Sequence, residues 1–222
     1  MTDFAAARRM MVDGQVRTAD VTDLRLIAAM IELPRERFVP ERNAALAYLD
    51  FDLPASDGEG RAGRCLLKPM VLAKLIQLAE IEQTDRVLDV GCATGYSSAL
   101  LAHLAGSVVA LEQDPALSRR AEQTIAELGI VNVQVVVGPL IAGWPAAEPY
   151  DVIVLQGGTE IVPETLLAQL KDGGRLVCAL GSGPLRKAML YRSIEGEVSG
   201  RPAFDAAAPL LPGFARQPAF VF

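Results

Sequence analysis

The pattern of apolar and polar positions changes at about residue 80. Before this point, apolar residues recur at helical intervals. The helices predicted there are Phe4–Arg17, Asp23–Met30 (capped by Thr22) and Pro69–Ala79. Between the last two, Asp50–Arg64 is rich in Gly, Asp, Pro and Ser and predicts an exposed loop. The first eighty residues are therefore predicted to form a helical extension.

After residue 80, short continuous apolar runs alternate with segments of helical spacing. The predicted strands are Arg86–Val90, Ser107–Glu112, Val133–Val137, Tyr150–Leu155 and Gly174–Leu180. The predicted helices between them are Tyr96–Ala105, Pro115–Leu128 and Pro163–Leu170. Such an alternation is typical of a parallel sheet covered on both faces. We therefore expect an α/β fold with a doubly wound, mostly parallel, Rossmann-like sheet.

The pattern changes again near the C-terminus. Lys187–Ile194 alternates weakly and a turn follows at Glu195-Gly196, which predicts a terminal antiparallel hairpin. The tail from Pro202 onward has poor periodicity. The expected organisation is a single domain over 1–222. Its parts are the helical extension (1–80), a cofactor-binding core (81–185) and a C-terminal hairpin with its tail (186–222).

The first predicted strand runs into a glycine-containing turn and then a helix, an arrangement that builds cofactor pockets in α/β proteins. A dinucleotide fingerprint, G-x-G-x-x-G, requires glycine where this chain has Ala93 and Tyr96. The pattern that fits is D-x-G-x-[GA]-x-G, formed by Asp89, Gly91, Ala93 and Gly95. It is the motif of class I S-adenosylmethionine-dependent methyltransferases. The remaining alternative is a glycine turn that binds no cofactor.

A second acid supports the cofactor interpretation. Glu112 ends the second predicted strand, 23 residues after Asp89, and an acid in that place can accept hydrogen bonds from both ribose hydroxyls. Asp89 is expected to meet the ammonium group of S-adenosylmethionine. The predicted cofactor-binding residues are Asp89, Gly91, Cys92, Ala93, Gly95, Tyr96, Glu112 and Gln113.

Four stretches outside and around this motif carry a family resemblance. They are MVDGQVR (11–17), LPRERFVPE (33–41), LDVGCATGYSSALLA (88–102) and VPETLLAQLKDGGRLV (162–177). With them the chain resembles protein-L-isoaspartate O-methyltransferases from about residue 10 to about residue 185. The resemblance implies the class I methyltransferase fold, S-adenosylmethionine as cofactor and S-adenosylhomocysteine as product. It also implies methylation of the isoaspartyl carboxylate in damaged proteins or peptides, that is, protein repair.

The acceptor-site loop departs from the family pattern. Where the family typically reads G-Q-T-I-S-Q-P, this chain reads GRCLLKP over 63–69, so Leu67 stands at the serine position and Cys65 at the threonine. The family's G-D-G segment after the third strand, whose acid lies near the adenine, is Gly138-Pro139-Leu140 here, and Gly138 and Pro139 are added to the cofactor-binding set. The small-residue loop that the family has after the fourth strand, typically T-A-A, reads QGG at residues 156–158. The catalytic residue is left unknown, with Lys68 or Arg64 as weak candidates to hold the acceptor by charge.

Composition limits the range of partners. The net charge is −6, without a block of basic residues, which argues against nucleic acid. The three cysteines lack metal-ligand spacing, so no metal site is expected. No apolar run reaches the ~20 residues of a membrane span, and the N-terminus lacks the apolar core of a signal peptide. We expect a soluble, cytoplasmic protein of undetermined oligomeric state that does not bind membranes.

Three functions stay open at this point. The first is the family's isoaspartyl methylation, for which no general base is needed because a carboxylate with a pKa near ~4 is already ionised at neutral pH. The second is methylation of another acceptor, such as a small molecule, because Leu67 and Cys65 make the wall of the site more apolar. The third is a non-catalytic S-adenosylmethionine-binding protein.

Overall fold

The computed structural model describes residues 3–56, 64–183 and 186–216. Residues 57–63 of the predicted loop, which include its acidic residues at 57 and 59, lie outside the described residues, as does the end of the tail. The strands of the described residues, numbered in chain order, are β1 (Leu53–Pro54), β2 (Cys65–Leu66), β3 (Arg86–Val90), β4 (Ser107–Glu112), β5 (Val133–Val137), β6 (Tyr150–Thr159), β7 (Leu170–Leu180), β8 (Lys187–Ile194) and β9 (Glu197–Asp205).

Seven of these strands form one sheet in the order β5-β4-β3-β6-β7-β8-β9. The first five in this order are parallel, and β8 and β9 run antiparallel at the edge. The central strands are apolar and buried on both faces, as a sheet covered by helices requires. The predicted mostly parallel sheet with a terminal hairpin is confirmed. Its turn at Glu195-Gly196 has positive φ at both residues.

Six α-helices connect or cover these strands in the described residues. They are α1 (Phe4–Met11), α2 (Leu24–Glu32), α3 (Pro69–Leu78), α4 (Tyr96–Ala102), α5 (Pro115–Glu127) and α6 (Glu164–Leu167). Prolines at the first positions of α3 and α5 suit helix starts, because their missing N–H would have had no partner there. The apolar faces of α1 to α5 share one large core with one face of the sheet.

The N-terminal segment differs from its prediction in two details. The predicted helix Phe4–Arg17 is broken, because α1 ends at Met11 and a wider π-helical turn (Val12–Val16) follows. The cap of α2 is Asp23, whose carboxylate accepts the main-chain N–H groups of the first helical turn. Thr22, the predicted cap, instead donates its main-chain N–H to Gln77. A carboxylate is the better N-cap because its charge also meets the positive end of the helix dipole.

The predicted exposed loop Asp50–Arg64 is partly buried. Leu53 lies in the core and β1 pairs with β2. The side chain of Arg64 is only 8% exposed, because it turns inward toward the carboxyl ends of the parallel strands. This inward arginine matters most for the site described below.

Strands β6 and β7 are longer than predicted. The sequence QGG at 156–158, expected as a loop, continues β6 to Thr159 after a register shift. The segment that follows β9 packs across this extension: Leu211 N–H donates to Gly158 O at 2.8 Å, and Gly158 N–H donates to Pro209 O at 2.6 Å. A Cβ at Gly157 would lie 2.6 Å from the Leu211 side chain, so glycine lets this segment approach. Strand β7 begins at Leu170 rather than Gly174, with Gly173 at φ +78°.

Candidate cofactor site

The glycine-containing turn lies at the carboxyl end of β3, where ligands bind in open α/β sheets. Gly91, Ala93 and Gly95 have positive φ values of 82°, 52° and 92°. A Cβ at Gly95 would lie 3.0 Å from Ile125 and 3.1 Å from Ala121 of α5, so the start of α4 packs closely on its neighbour. Gly91 N–H donates to Leu111 O at 2.8 Å, which fixes the turn against β4.

Glu112, at the end of β4, is fully buried and held by the main chain. Its Oε1 accepts the N–H groups of Gln113 (2.9 Å) and Asp114 (3.2 Å), and its Oε2 accepts the N–H of Ala93 (2.9 Å). The last bond offsets part of the cost of Ala93's left-handed conformation, which L-residues other than glycine adopt rarely. The predicted acid is thus rigidly positioned beside the turn.

Arg64 occupies the space next to this acid. Its Nη2 and Nε lie 2.8 and 3.2 Å from Glu112 Oε2, and Nη2 also donates to the carbonyl oxygen of Gly91. A Cβ at Gly91 would lie 2.7 Å from Nη2 and 3.1 Å from the Leu211 side chain. The guanidinium therefore connects the two strand ends that the sequence predicts as cofactor-binding.

Asp89 is fully buried and lies among neutral donors rather than cations. Its Oδ2 accepts the hydroxyls of Ser97 (2.7 Å) and Ser98 (2.6 Å), and its Oδ1 accepts the Gln156 amide (2.7 Å). Burial raises the pKa of Asp89 to about 6, against the opposing effect of these three hydrogen bonds. The carboxylate joins β3, α4 and β6 through these bonds, and its contact with the ammonium group of S-adenosylmethionine stays a prediction.

A small cavity of about 10 Å³, room for about one water molecule, lies beside the turn. It is lined by Cys65, Leu66, Leu67, Leu72, Gly91, Cys92, Tyr96, Ser97 and Gln156. Sites for small ligands are usually ~300–1,000 Å³, so this space is short of a full cofactor site. Leu67 forms part of its apolar wall, and Lys68 is not among the lining residues.

The acceptor-side loop is held from beneath by Arg35, which is fully buried. Arg35 donates to the carbonyl oxygens of Ala47 and Leu67, each at 2.8 Å, and its guanidinium lies 4.6 Å from the ring centroid of Tyr96. Lys68 donates its main-chain N–H to Asp52 at 2.9 Å. Leu67 is thereby fixed in position while its side chain offers the cavity no hydrogen bond.

The other predicted residues divide into two groups. Cys92 lies in the turn, where burial raises the pKa of its thiol, and the Tyr96 ring is buried against Phe38. The remaining three lie near the end of β4: Gln113 is exposed, Gly138 donates its N–H to the main-chain oxygen of Glu112, and Pro139 is exposed. No cluster of His, Cys, Asp or Glu able to hold a metal occurs in the described part of the chain.

Five residues of the site were not predicted from sequence. They are Ser97, Ser98, Gln156, Leu211 and, as a partner of Glu112, Arg64. The two serines carry a readable signal, because hydroxyls in the first turn of a helix lie close to the end of the preceding strand. The long-range partners Arg64, Gln156 and Leu211 carry no local signal.

The comparisons with known proteins agree with this geometry. A family model described as protein-L-isoaspartate(D-aspartate) O-methyltransferase (PCMT) matches residues 7–205. The chain belongs to this family. The family resemblance predicted from the four sequence stretches is thus confirmed.

Relatives of the family cover most of the chain. A protein-L-isoaspartate O-methyltransferase 1 from Rhodopseudomonas palustris is 41% identical over 181 residues, which are 82% of this chain and 72% of that protein. A protein-L-isoaspartate O-methyltransferase from Methanoculleus marisnigri is 36% identical over 195 residues, covering 88% and 86%.

Solved structures give the same fold. A protein-L-isoaspartate O-methyltransferase superimposes with a TM-score of 0.80 at 26% identity, covering 92% of this chain and 66% of that one. A second structure, a putative family member from Plasmodium falciparum in complex with S-adenosyl-L-homocysteine, gives a TM-score of 0.75 at 18% identity, covering 92% and 97%. The likeness confirms the predicted class I methyltransferase fold. Among the described helices, none is long and apolar enough to cross a bilayer.

Proposed function

We propose that this protein is an S-adenosylmethionine-dependent carboxyl methyltransferase that acts on isoaspartyl residues of proteins or peptides. The observation that carries the proposal is the family match over residues 7–205, to a family whose relatives are named for this reaction. The other acceptor and the non-catalytic cofactor-binding protein, both open from sequence, are not favoured by these relatives. A repair role and a cytoplasmic location belong to the same proposal.

The residues at the strand ends suit the cofactor in kind. Glu112 offers a fixed carboxylate for ribose hydroxyls, and the cradle above Gly91 admits a ligand only because no Cβ is present. In the structure Arg64 occupies both places, since it donates hydrogen bonds to the Glu112 carboxylate and to the Gly91 carbonyl oxygen. The fit therefore depends on the position of one side chain and not on the backbone.

The chemistry requires alignment more than proton transfer. When bound, the cofactor supplies a methyl group already activated by its sulfonium. The chain's own task is to orient the acceptor carboxylate, and alignment of this kind can contribute roughly 7–11 kcal/mol. We place the acceptor beside the wall formed by Leu67 and Cys65, where Leu67 is fixed by the Arg35 hydrogen bond to its carbonyl oxygen and limits the acceptor's position by packing alone.

Cys65 contributes packing to that wall rather than reactivity. Burial, assisted by the nearby carboxylate of Asp52, raises the pKa of its thiol to about 12. The thiolate is the nucleophilic form of cysteine, and almost none of it exists at neutral pH. We therefore propose no covalent step for Cys65.

The test is a methyl-transfer assay paired with calorimetry. The chain should methylate an isoaspartyl peptide and leave the matching aspartyl peptide unmodified. Glu112→Gln should weaken S-adenosylhomocysteine binding roughly 10–100-fold, because hydrogen bonds to a charged group are worth about 1.5–3 kcal/mol. Glu127→Gln, which changes an exposed acid near the end of α5, is the charge-matched control. Equal methylation of both peptides, or unchanged affinity in Glu112→Gln, contradicts the proposal.

Leu67 provides a second test, directed at the acceptor. Leu67→Ser restores a hydroxyl at the family's serine position, and we expect a lower KM and a higher kcat for the isoaspartyl peptide, since an acceptor carboxylate beside an apolar wall lacks a hydrogen-bond donor. Leu66→Ser, a substitution in the same cavity wall, is the matched control and should not raise turnover. Unaltered kinetics in Leu67→Ser would show that the acceptor lies elsewhere.

A further inference from the structure

Arg64 has an unusual position for the last residue of a predicted exposed loop. It directly precedes β2, yet its side chain is 8% exposed and its guanidinium lies between the ends of β3 and β4. Both of its acceptors, the Glu112 carboxylate and the Gly91 carbonyl oxygen, belong to the predicted cofactor site. The arginine is thus placed inside the site and not at its rim.

The Arg64 guanidinium and the ribose of a nucleoside cannot both hydrogen-bond to Glu112 at the same time. Oε1 already accepts two main-chain N–H groups, and Oε2 accepts the Ala93 N–H and two bonds from Arg64. A carboxylate offers about four lone-pair sites, so ribose hydroxyls find no vacant position while Arg64 stays. Above Gly91 even a methyl group would meet Nη2 at 2.7 Å.

If Arg64 moves away, the buried Glu112 carboxylate still has hydrogen-bond donors. Glu112 keeps three main-chain donors from Ala93, Gln113 and Asp114, which belong to the turn and to the start of α5. The cofactor also brings its own hydroxyl donors to this acid. Hydrogen-bond donors at Glu112 are therefore exchanged and not lost, which is the condition for two groups to compete at one site.

We infer that Arg64 is an internal competitor of the cofactor: its guanidinium occupies the acceptors of Glu112 and Gly91, and the cofactor binds only to molecules in which Arg64 has moved away. The inference rests on the proposed function. The apparent dissociation constant is then the intrinsic one divided by the fraction of molecules with Arg64 displaced. Arg64 is a residue that sets cofactor affinity, at the position where the family pattern has a neutral glutamine.

The experiment is calorimetry of the full chain with S-adenosylhomocysteine. With the displaced form populated at about 10% or less, a range common for minor states, Arg64→Gln should bind at least about tenfold more tightly than the unaltered chain. Arg119→Gln removes the same charge from an exposed position on α5 and should leave the affinity unchanged. Arg64→Lys keeps the charge but cannot contact Glu112 through two nitrogen atoms. Its affinity for S-adenosylhomocysteine should lie between those of the unaltered chain and Arg64→Gln.

The outcomes separate this inference from the proposed function. If the unaltered chain binds and Arg64→Gln binds equally or more weakly, Arg64 is no competitor and the inference is overturned alone. If neither binds, the proposed cofactor fails and the inference fails with it. Circular dichroism establishes that each variant is folded, and if Arg64→Gln does not fold, tighter binding by Arg64→Lys supports the inference and unchanged binding overturns it.

Discussion

The parallel strands of the sheet carry a buried arginine–carboxylate pair at each of their two ends. We call the end where these strands begin the amino edge and the end where they finish the carboxyl edge. At the amino edge, Arg175 of β7 contacts Asp85, which directly precedes β3, at 2.7 Å. At the carboxyl edge, Arg64 contacts Glu112 at 2.8 Å. The four side chains are all 10% exposed or less. The two pairs therefore resemble each other in length and burial, and they differ in what holds each partner.

At the amino edge the arginine is the fixed member. Arg175 also donates to the main-chain oxygens of Ala79 and Glu80, so it ties the end of α3 to the sheet. Among the described residues, Asp85 has one main-chain donor, Glu82 N–H at 2.8 Å. At the carboxyl edge the acid is the fixed member, with three main-chain donors. A pair whose acid is held by the backbone can exchange its cation, whereas one whose acid depends on the arginine cannot.

The largest expected effect is on the amino-edge pair. Arg175→Met leaves Asp85 buried with one main-chain donor, and loss of one partner from such a pair costs about 3–5 kcal/mol of unfolding free energy. Arg64→Met should cost clearly less, since Glu112 keeps its main-chain donors. Urea unfolding of both variants without cofactor measures the difference.

An exposed pair on the same strand supplies the control for that comparison. Lys171 of β7 contacts Asp151 at 2.9 Å and is 59% exposed, so Lys171→Met should change stability by no more than ~1 kcal/mol. Equal losses in Arg175→Met and Arg64→Met would remove the distinction between a fixed and an exchangeable pair.

The sequence predicts the two acids of the candidate site but not the arginine side chain that contacts one of them. The acids Asp89 and Glu112 could be predicted because they are the next-to-last and the last residue of two apolar strands, which places both at the carboxyl ends of the parallel strands. Arg64 could not, because its contact with Glu112 joins residues 48 positions apart and originates in a segment whose composition indicates only a loop. Local patterns determine where strands end and not which distant side chain folds over them.

The same limit applies to the end of β6. Gln156-Gly157-Gly158 is predicted as a loop because it stands where the family has a small-residue loop after the fourth strand. In the structure those glycines instead admit Leu211 and Arg186 at distances that a Cβ would forbid. A glycine-rich segment can form a turn, or it can allow another part of the chain to pack closely against its backbone. Which of the two occurs depends on the tertiary structure and not on the segment itself.

Asp89 and Glu112, the two acids of the carboxyl edge, differ in their partners: neutral donors surround Asp89, whereas Arg64 contacts Glu112. The pH dependence of the unfolding free energy, a smaller effect than those above, tests this difference. Burial raises the pKa of Asp89 to about 6 from its ordinary 3.8, so the folded protein retains a proton that the unfolded chain releases between these pH values. This contribution to stability is present below pH 4 and is lost as pH rises through 6. The unfolding free energy of the unaltered chain minus that of Asp89→Asn should therefore fall by about 2 kcal/mol from pH 4 to pH 7.

Asp151 provides a control of opposite sign for this pH dependence. Its burial favours a higher pKa, but hydrogen bonds from the Arg86 main chain and from Lys171 outweigh burial and lower it. Its contribution to stability is therefore present above its ordinary pKa and is lost in acid, so the corresponding difference for Asp151→Asn should rise with pH. Chemical denaturation of the three proteins at pH 4, 5, 6 and 7 measures both trends. If Asp89→Asn followed the trend of Asp151→Asn, a cation and not neutral donors would hold the acid of β3, and the two acids of the carboxyl edge would be alike.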